Sequence, residues 1–212
     1  MFIDIHTHNT LTKHNNISIF SIDIRKDINS QIKKFSSIGI HPWYINDENI
    51  ISNFEKYINN ENIIAIGEIG LDKTIDVNFD LQKEVLFQQL NLAKENDKAV
   101  IIHCVKAYSD FQQIIKLYSI PFIFHGFNSS LETAESLIKS GAFLSFGKTL
   151  LSNTKLQTVF KNIDLSKIFL ETDDSNINIE EIYLFASKLV NIRLIDLEKQ
   201  IENNFIEVFG KL

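Results

Sequence analysis

Apolar runs rich in β-branched residues recur along this chain, and between them lie stretches in which apolar residues return at helical spacing. Read as strands, the runs fall at residues 2–6, 17–22, 38–41, 63–68, 99–103, 122–125, 143–146 and 168–170. Most are continuously apolar rather than alternating, as expected of strands covered outside by helices and packed within. Helical period appears at residues 28–35, 48–59, 81–95, 108–117, 131–140 and 152–162, and two further helices are expected near 179–189 and 196–209. The stretch at 81–95 is rich in good helix formers and sets Leu86, Leu90 and Ala93 on one stripe. Eight strands alternating with helices predict an α/β protein, a parallel (β/α)8 barrel whose ligands gather at the C-terminal strand ends. The chain is short for that fold, and the gap from His8 to Ile17 leaves no room for a full crossover helix. A distorted barrel with shortened crossover helices is therefore expected. No Pro/Gly-rich linker or charge block interrupts the pattern, so residues 1–212 read as one domain.

The strand ends carry the chemistry. Five of the six histidines close an apolar run, and only His14 does not. Side chains alternate along a strand, so Asp4, His6 and His8 share a face. In a barrel the strand ends would gather His6, His8, Glu68, His103, His125 and Asp173. Four imidazoles and two carboxylates suit two divalent cations if one carboxylate bridges them. Glu68 is the natural bridge, coming from a middle strand with Gly67 and Gly70 beside it. One strand-end histidine is commonly structural, but six such groups in the core would each need a buried partner. Asp4 and Glu171 each share a face with a ligand two residues away. Either could orient a ligand imidazole or simply form a rim ion pair.

Composition narrows the setting. Of 212 residues, 44% are hydrophobic, enough for a sizeable core, and none of the apolar runs nears the roughly 20 residues that span a bilayer. The N-terminus reads as a His-bearing strand rather than a secretion signal, so a soluble, unprocessed, cytoplasmic protein is expected. The one cysteine, Cys104, suits a reducing compartment and reads as a small buried hydrophobe. A net charge of −6 means that an anionic polymer would have to be held by metals and local basic groups. Lys73, Lys106 and Lys148 follow strand ends and are candidates for that task, although a mouth lysine is often merely solvated. Trp43, Tyr108 and Phe127 could stack bases or could simply pack.

The runs Phe2-Ile3-Asp4-Ile5-His6-Thr7-His8, Gly39-Ile40-His41-Pro42-Trp43, Gly67-Glu68-Ile69-Gly70-Leu71-Asp72, Val100-Ile101-Ile102-His103-Cys104, Phe124-His125-Gly126-Phe127 and Leu170-Glu171-Thr172-Asp173 resemble, in order, the motifs of the TatD family of metal-dependent deoxyribonucleases. The segment Gly67 to Asp72 is the most diagnostic, and a family-like helical tail follows near residues 204–209. The resemblance implies a distorted TIM barrel of the metal-dependent hydrolase superfamily. It would bind two Mg2+, Mn2+ or Zn2+ ions and hydrolyse DNA phosphodiester bonds, often from the 3′ end. By position, His6, His8 and Asp173 would serve one metal, His103 and His125 the other, and Glu68 would bridge. Asp173 would also take a proton from the attacking water. His41 resembles a family position at the site mouth and could contact phosphate, or could simply stabilise its turn before Pro42. Neither a membrane contact nor an obligate protein partner is expected.

The chain also departs from the family pattern. Lys73 to Asn78 lacks the usual aromatic and basic character, and Asp174-Ser175-Asn176 replaces a proline-bearing loop. The metal chemistry is intact, whereas tight DNA binding is less well provided for. A small-molecule amidohydrolase or lactonase on the same two-metal scaffold is the alternative. Many such enzymes bridge their metals with a carboxylated lysine, and a glutamate here favours the nuclease. A non-catalytic metal-binding domain fits an intact ligand set poorly.

Overall fold

In a computed structural model, which describes residues 1–9, 16–25, 28–45 and 54–210, strands and helices alternate along the chain. The strands are β1 (Ile3–Thr7), β2 (Ile17–Asp23), β3 (Ser36–Gly39), β4 (Ile63–Asp72), β5 (Ala99–Val105), β6 (Phe122–Phe124), β7 (Phe143–Phe146) and β8 (Ile168–Leu170). They neighbour one another in one eight-stranded sheet in chain order, β1 to β8. The helices are α1 (Phe79–Glu95), α2 (Tyr108–Ile114), α3 (Leu131–Lys139), α4 (Thr154–Asn162), α5 (Ile179–Leu189) and α6 (Leu194–Phe209). The described residues contain no helix long and apolar enough to cross a membrane. Two compact units divide the chain, one formed by Met1–Ile19 with Phe124–Leu212 and the other by Phe20–Ile123.

The unit Phe20–Ile123 is built on parallel ladders from β2 through β3 and β4 to β5. Ile38, Ile63, Ile66, Ile69, Val100 and Ile102 are buried in it, and α1 adds Val85, Leu86, Leu90 and Ala93. Register slips between Ile66 and Ile69, so Gly67 and Glu68 leave the regular ladder before β4 resumes as far as Asp72. Asn78 caps α1, its side chain accepting from the Asp80 and Leu81 amides, with Asp80 favourably placed in the first turn. Two buried glutamines then fasten the helix to the strand ends. Gln89 accepts from Ile40 N at 2.8 Å and donates to Ile40 O at 3.3 Å, which gives the backbone just beyond β3 a partner. Gln82, two turns earlier on the same face, accepts from Asp72 N at 2.8 Å and donates to Asp72 O at 3.0 Å.

The helix expected at 28–35 is absent, and the backbone hydrogen bonds show why. Gln31 N and Ile32 N both donate to Ile28 O, completing one turn. Lys33 N then donates to Ser36 Oγ and Phe35 O accepts from Phe20 N, so the backbone groups a helix needs are already engaged. Much of the helix expected at 48–59 lies outside the described residues. Its remainder, residues 54–59, forms turns closed by Tyr57 N and Ile58 N donating to Phe54 O. His14 and most of the connection from His8 to Ile17 also lie outside the described residues.

In the unit of Met1–Ile19 and Phe124–Leu212, β1 is buried along its whole length and β7 pairs with β8 in parallel. Tyr183 on α5 is fully buried, accepting from Ile3 N at 3.1 Å and donating to Ile3 O at 2.9 Å. Asn204 on α6 donates to Leu165 O and Ile168 O at the start of β8. Aromatic pairs fill the space under α4, with Phe146 edge-on to both Phe127 and Phe160.

Replacing Gln89 with Leu keeps the bulk but strands the Ile40 amide and carbonyl. We expect a loss of about 1–3 kcal/mol in urea-unfolding stability, whereas an unchanged midpoint would show that Ile40 needs no side-chain partner.

Candidate metal centre

Each unit carries its own set of convergent histidines and carboxylates. In the unit Phe20–Ile123, His41, Glu68 and His103 offer ligand atoms within 4.8 Å of one another. Three bare glycine surfaces make room for this. A Cβ on Gly39 would lie 2.7 Å from Glu68 O, one on Gly67 2.6 Å from the Ile101 Cβ, and one on Gly70 1.8 Å from His103 O. The strands therefore approach more closely around Glu68 than any side chain would allow.

His103 is held between two carboxylates. Its Nδ1 lies 2.9 Å from Glu68 Oε1 and its Nε2 lies 3.3 Å from Asp72 Oδ2. With the Nε2 proton given to Asp72, Nδ1 presents a lone pair beside Glu68, the carboxylate–histidine arrangement that steadies a metal ligand. Burial alone would raise the Asp72 carboxyl, yet hydrogen bonds from Thr74, Trp43 and His103 hold it down at about 2. Asp72 is thus an anion at any working pH. Its partners are short and specific, the Trp43 indole N–H at 2.8 Å and the Thr74 amide at 2.8 Å.

His41 is different in kind. Its Nδ1 accepts the Trp43 amide at 3.1 Å, so the ring proton of the neutral form sits on Nε2, 3.1 Å from Glu68 Oε1. His41 therefore offers a donor, suited to a carboxylate or a phosphate oxygen, rather than a lone pair for a cation. Lys106, on the same unit, is exposed just beyond β5 with a left-handed φ of 55°. Lys73 is engaged by Asp110 at 2.6 Å.

In the unit of Met1–Ile19 and Phe124–Leu212, the ligand atoms of His6, His125 and Asp173 lie within 4.8 Å of one another. The His6 and His8 Nε2 atoms lie 3.6 Å and 3.7 Å from Asp173 Oδ1, and the His6 and His125 rings are 4.4 Å apart. Ligands about 2.0–2.2 Å from a tetrahedral ion are about 3.3–3.6 Å from one another, so this set needs little contraction to close on one. Asp173 is fixed by backbone bonds to β1, donating to His6 O at 3.0 Å and accepting from His8 N at 3.1 Å, in a left-handed conformation with φ 54°.

Asp4 and Glu171 stand behind this set. The Asp4 carboxylate accepts from Thr172 N at 2.9 Å and from the Thr172 hydroxyl at 2.6 Å, and that hydroxyl lies 2.9 Å from the Thr7 hydroxyl. Burial pushes Asp4 up to about 7. Its bonds thus go to the residue before Asp173, not to an imidazole. Glu171 Oε1 accepts from Gly126 N at 2.6 Å and lies 3.6 Å from His125 Nδ1. Its other oxygen has no hydrogen-bond partner among the described residues. That carboxylate borders a cavity of about 50 Å³ with Gly126, Gly147, Thr149 and Asp173, room for a water or two. Lys148, beside it, is paired with Asp174 at 3.3 Å.

Two residues with evident roles escape a reading of the sequence. Asp72 was there to be found, since Glu68, Gly70 and Asp72 alternate onto one face of β4. Thr172, which ties Asp4 to the ligand loop, carries no comparable signal.

Histidines and carboxylates of this kind, at the ends of strands in a (β/α)8 chain, define a metal-dependent barrel protein. The chain belongs to the family described as TatD related DNase, whose profile matches residues 14–210. It is similar to the uncharacterized metal-dependent hydrolase YabD of Bacillus subtilis (strain 168), with 35% identity over 147 residues, 66% of this chain and 58% of that protein. It is likewise similar to the uncharacterized metal-dependent hydrolase YjjV of Escherichia coli (strain K12), with 29% identity over 148 residues, 66% of this chain and 57% of that protein. The chain thus spans just over half the length of these curated relatives in the matched region. The crystal structure of the TatD homologue YJJV from Escherichia coli K12 superimposes with a TM-score of 0.87 at 21% identity, covering 100% of this chain and 98% of that one. This likeness shows the fold, the distorted TIM barrel expected from the strand pattern.

Because Asp72 orients His103, Asp72→Asn should weaken divalent-metal binding by about 10- to 100-fold with little change in circular dichroism. Calorimetric titration with Zn2+ or Mn2+ measures this, and unchanged affinity would remove Asp72 from the site.

Proposed function

We propose that this protein is a metal-dependent phosphodiesterase that hydrolyses DNA, single-stranded or at 3′ ends. The observation that carries the reading is the pairing of ligand imidazoles with fixed carboxylates, His103 with Asp72 and His125 with Glu171. His6, His8, His125 and Asp173 would supply the donors of one unit and Glu68 and His103 those of the other, six groups for two divalent cations. Bound cations would supply Lewis acidity, acidifying a water and neutralising phosphate charge. The chain's own groups do the rest. Asp173 is half-buried and fixed by two backbone hydrogen bonds, and in this reading it would accept the proton of the attacking water. His41, with its proton on Nε2, would donate to a non-bridging phosphate oxygen. Lys106 has no charged partner among the described residues, unlike Lys73 and Lys148, and would hold a neighbouring phosphate. A cytoplasmic setting accompanies this reading, Cys104 being a buried thiol pushed up to about 12 by burial, with no second cysteine to pair with.

A small-molecule hydrolase is the second reading. The pairing of Lys73 and Lys148 with carboxylates favours it, because of the three lysines that follow strand ends only Lys106 is then left for a polymer.

The deciding assay is hydrolysis of single-stranded oligonucleotides labelled at the 3′ or 5′ end, with and without divalent metal. We expect metal-dependent release from the 3′ end, and kcat about 10²-fold lower or worse for Asp173→Asn. Asp174→Asn, at an exposed residue paired with Lys148, should be mild. Equal loss in the two variants would overturn the role given to Asp173.

Lys106→Ala should raise KM for oligonucleotides, spare a small activated phosphodiester, and reduce the salt slope of DNA binding by about one. The same response for both substrates would favour the small-molecule reading.

A further inference from the structure

Trp43 is the sole tryptophan of the chain, and it is 55% exposed. Tryptophan is highly buried on average, so an indole left in solvent beside His41 and His103 needs a reason. The other large exposed apolar side chains, among them Leu117, Leu184 and Ile206, are scattered on helices and turns and require none.

This indole is also held still. It sits in the short 3-10 turn Pro42–Tyr44, which Pro42 opens and the His41 side chain caps by accepting Trp43 N. Its Nε1–H donates to Asp72 at 2.8 Å. The ring packs edge-on to His41 at 5.0 Å and to His103 at 6.1 Å. Exposure therefore does not come from a loose loop. The neighbouring exposed aromatic, Tyr44, differs in that the Arg25 guanidinium lies over its ring at 4.3 Å, while no cation covers Trp43 among the described residues.

We propose that Trp43 is the stacking platform for a nucleobase of the substrate, placed so that the phosphate next to that base reaches the His41, Glu68 and His103 end of the unit. The inference rests on the DNA-hydrolase reading and adds to it the part of the substrate that this surface recognises. A rigid indole with its polar edge already satisfied offers an apolar face at low entropic cost, and every base has a complementary π-face. Binding would thus be tolerant of sequence but would require a base. A sugar-phosphate backbone without bases would gain nothing from Trp43.

The protein carries its own reporter, since Trp43 accounts for all tryptophan emission. The holoprotein is mixed with a thymidine tetranucleotide, or with the same backbone lacking bases, in Mg2+ buffer. Emission is read by stopped flow before turnover, and binding is followed separately by polarization of labelled oligonucleotide. Quenching by the base-bearing oligomer and little by the abasic one is expected. In variants, Trp43→Ala should raise the dissociation constant for the base-bearing oligomer roughly 5- to 100-fold. Trp43→Phe should recover most of it, and any change in abasic binding should be the same in both variants. Both variants lose the hydrogen bond to Asp72, so the contrast between them isolates the aromatic face. Equal impairment by Ala and Phe would show that Trp43 acts only by positioning Asp72, and would overturn the platform. Tight binding without quenching, or equal binding of both oligomers, would overturn it while leaving the nuclease reading in place. If neither oligomer bound while metal stoichiometry was normal, the nucleic-acid reading would fall, and the platform with it.

Discussion

A strand that turns its last residues toward a ligand must leave its ladder, and the amide and carbonyl groups it frees still need partners once buried. Much of this structure follows from that requirement. Beyond β3, the two polar groups of Ile40 are met by the Gln89 side chain, and at the end of β4 those of Asp72 are met by Gln82. At the start of β1, Tyr183 does the same for Ile3, and after β8 Asp4 receives the Thr172 amide. In each case a side chain supplies the partner that the backbone group would otherwise lack. The proposed ligands are as well fixed as these substitutes are.

The substitutes also set the electrostatics. Asp72 is kept anionic by its donors, and it faces the far nitrogen of His103. Asp4 is pushed up to about 7 by burial, and its effect is mechanical: it anchors the residue that precedes Asp173. Two aspartates near the ends of their strands thus do different work, and the number of donors each receives separates them. Glu171 has one oxygen bonded to Gly126 and borders a small cavity.

The strand pattern was legible because buried parallel strands are continuously apolar, and β7 and β8 begin and end where their apolar runs do. The metal-ligand candidates were legible for the same reason, as polar residues that interrupt or close such runs. What could not be read was set by contacts distant in sequence. Nothing near residues 28–35 announces that the Phe20 amide will claim the Phe35 carbonyl. Gln82 and Gln89 read as surface positions of an amphipathic helix until the strand ends they serve are known. His41 was legible as a mouth residue, but its tautomer depends on the Trp43 amide, which only the turn geometry brings within reach.

The crowding around Glu68 reaches beyond stability. Gly39, Gly67 and Gly70 face backbone or Cβ atoms at distances of 2.7 Å, 2.6 Å and 1.8 Å from where a methyl group would begin, so none can acquire a side chain without moving the strand that bears the carboxylate. Mutational drift is therefore barred from the floor of this region. New substrate preferences have to arise in the surface turns, at Pro42–Tyr44 or in the segments after β4 and β8, where a changed side chain meets solvent rather than a neighbouring strand. The floor can serve many substrates over evolutionary time because it cannot itself be remodelled for any one of them.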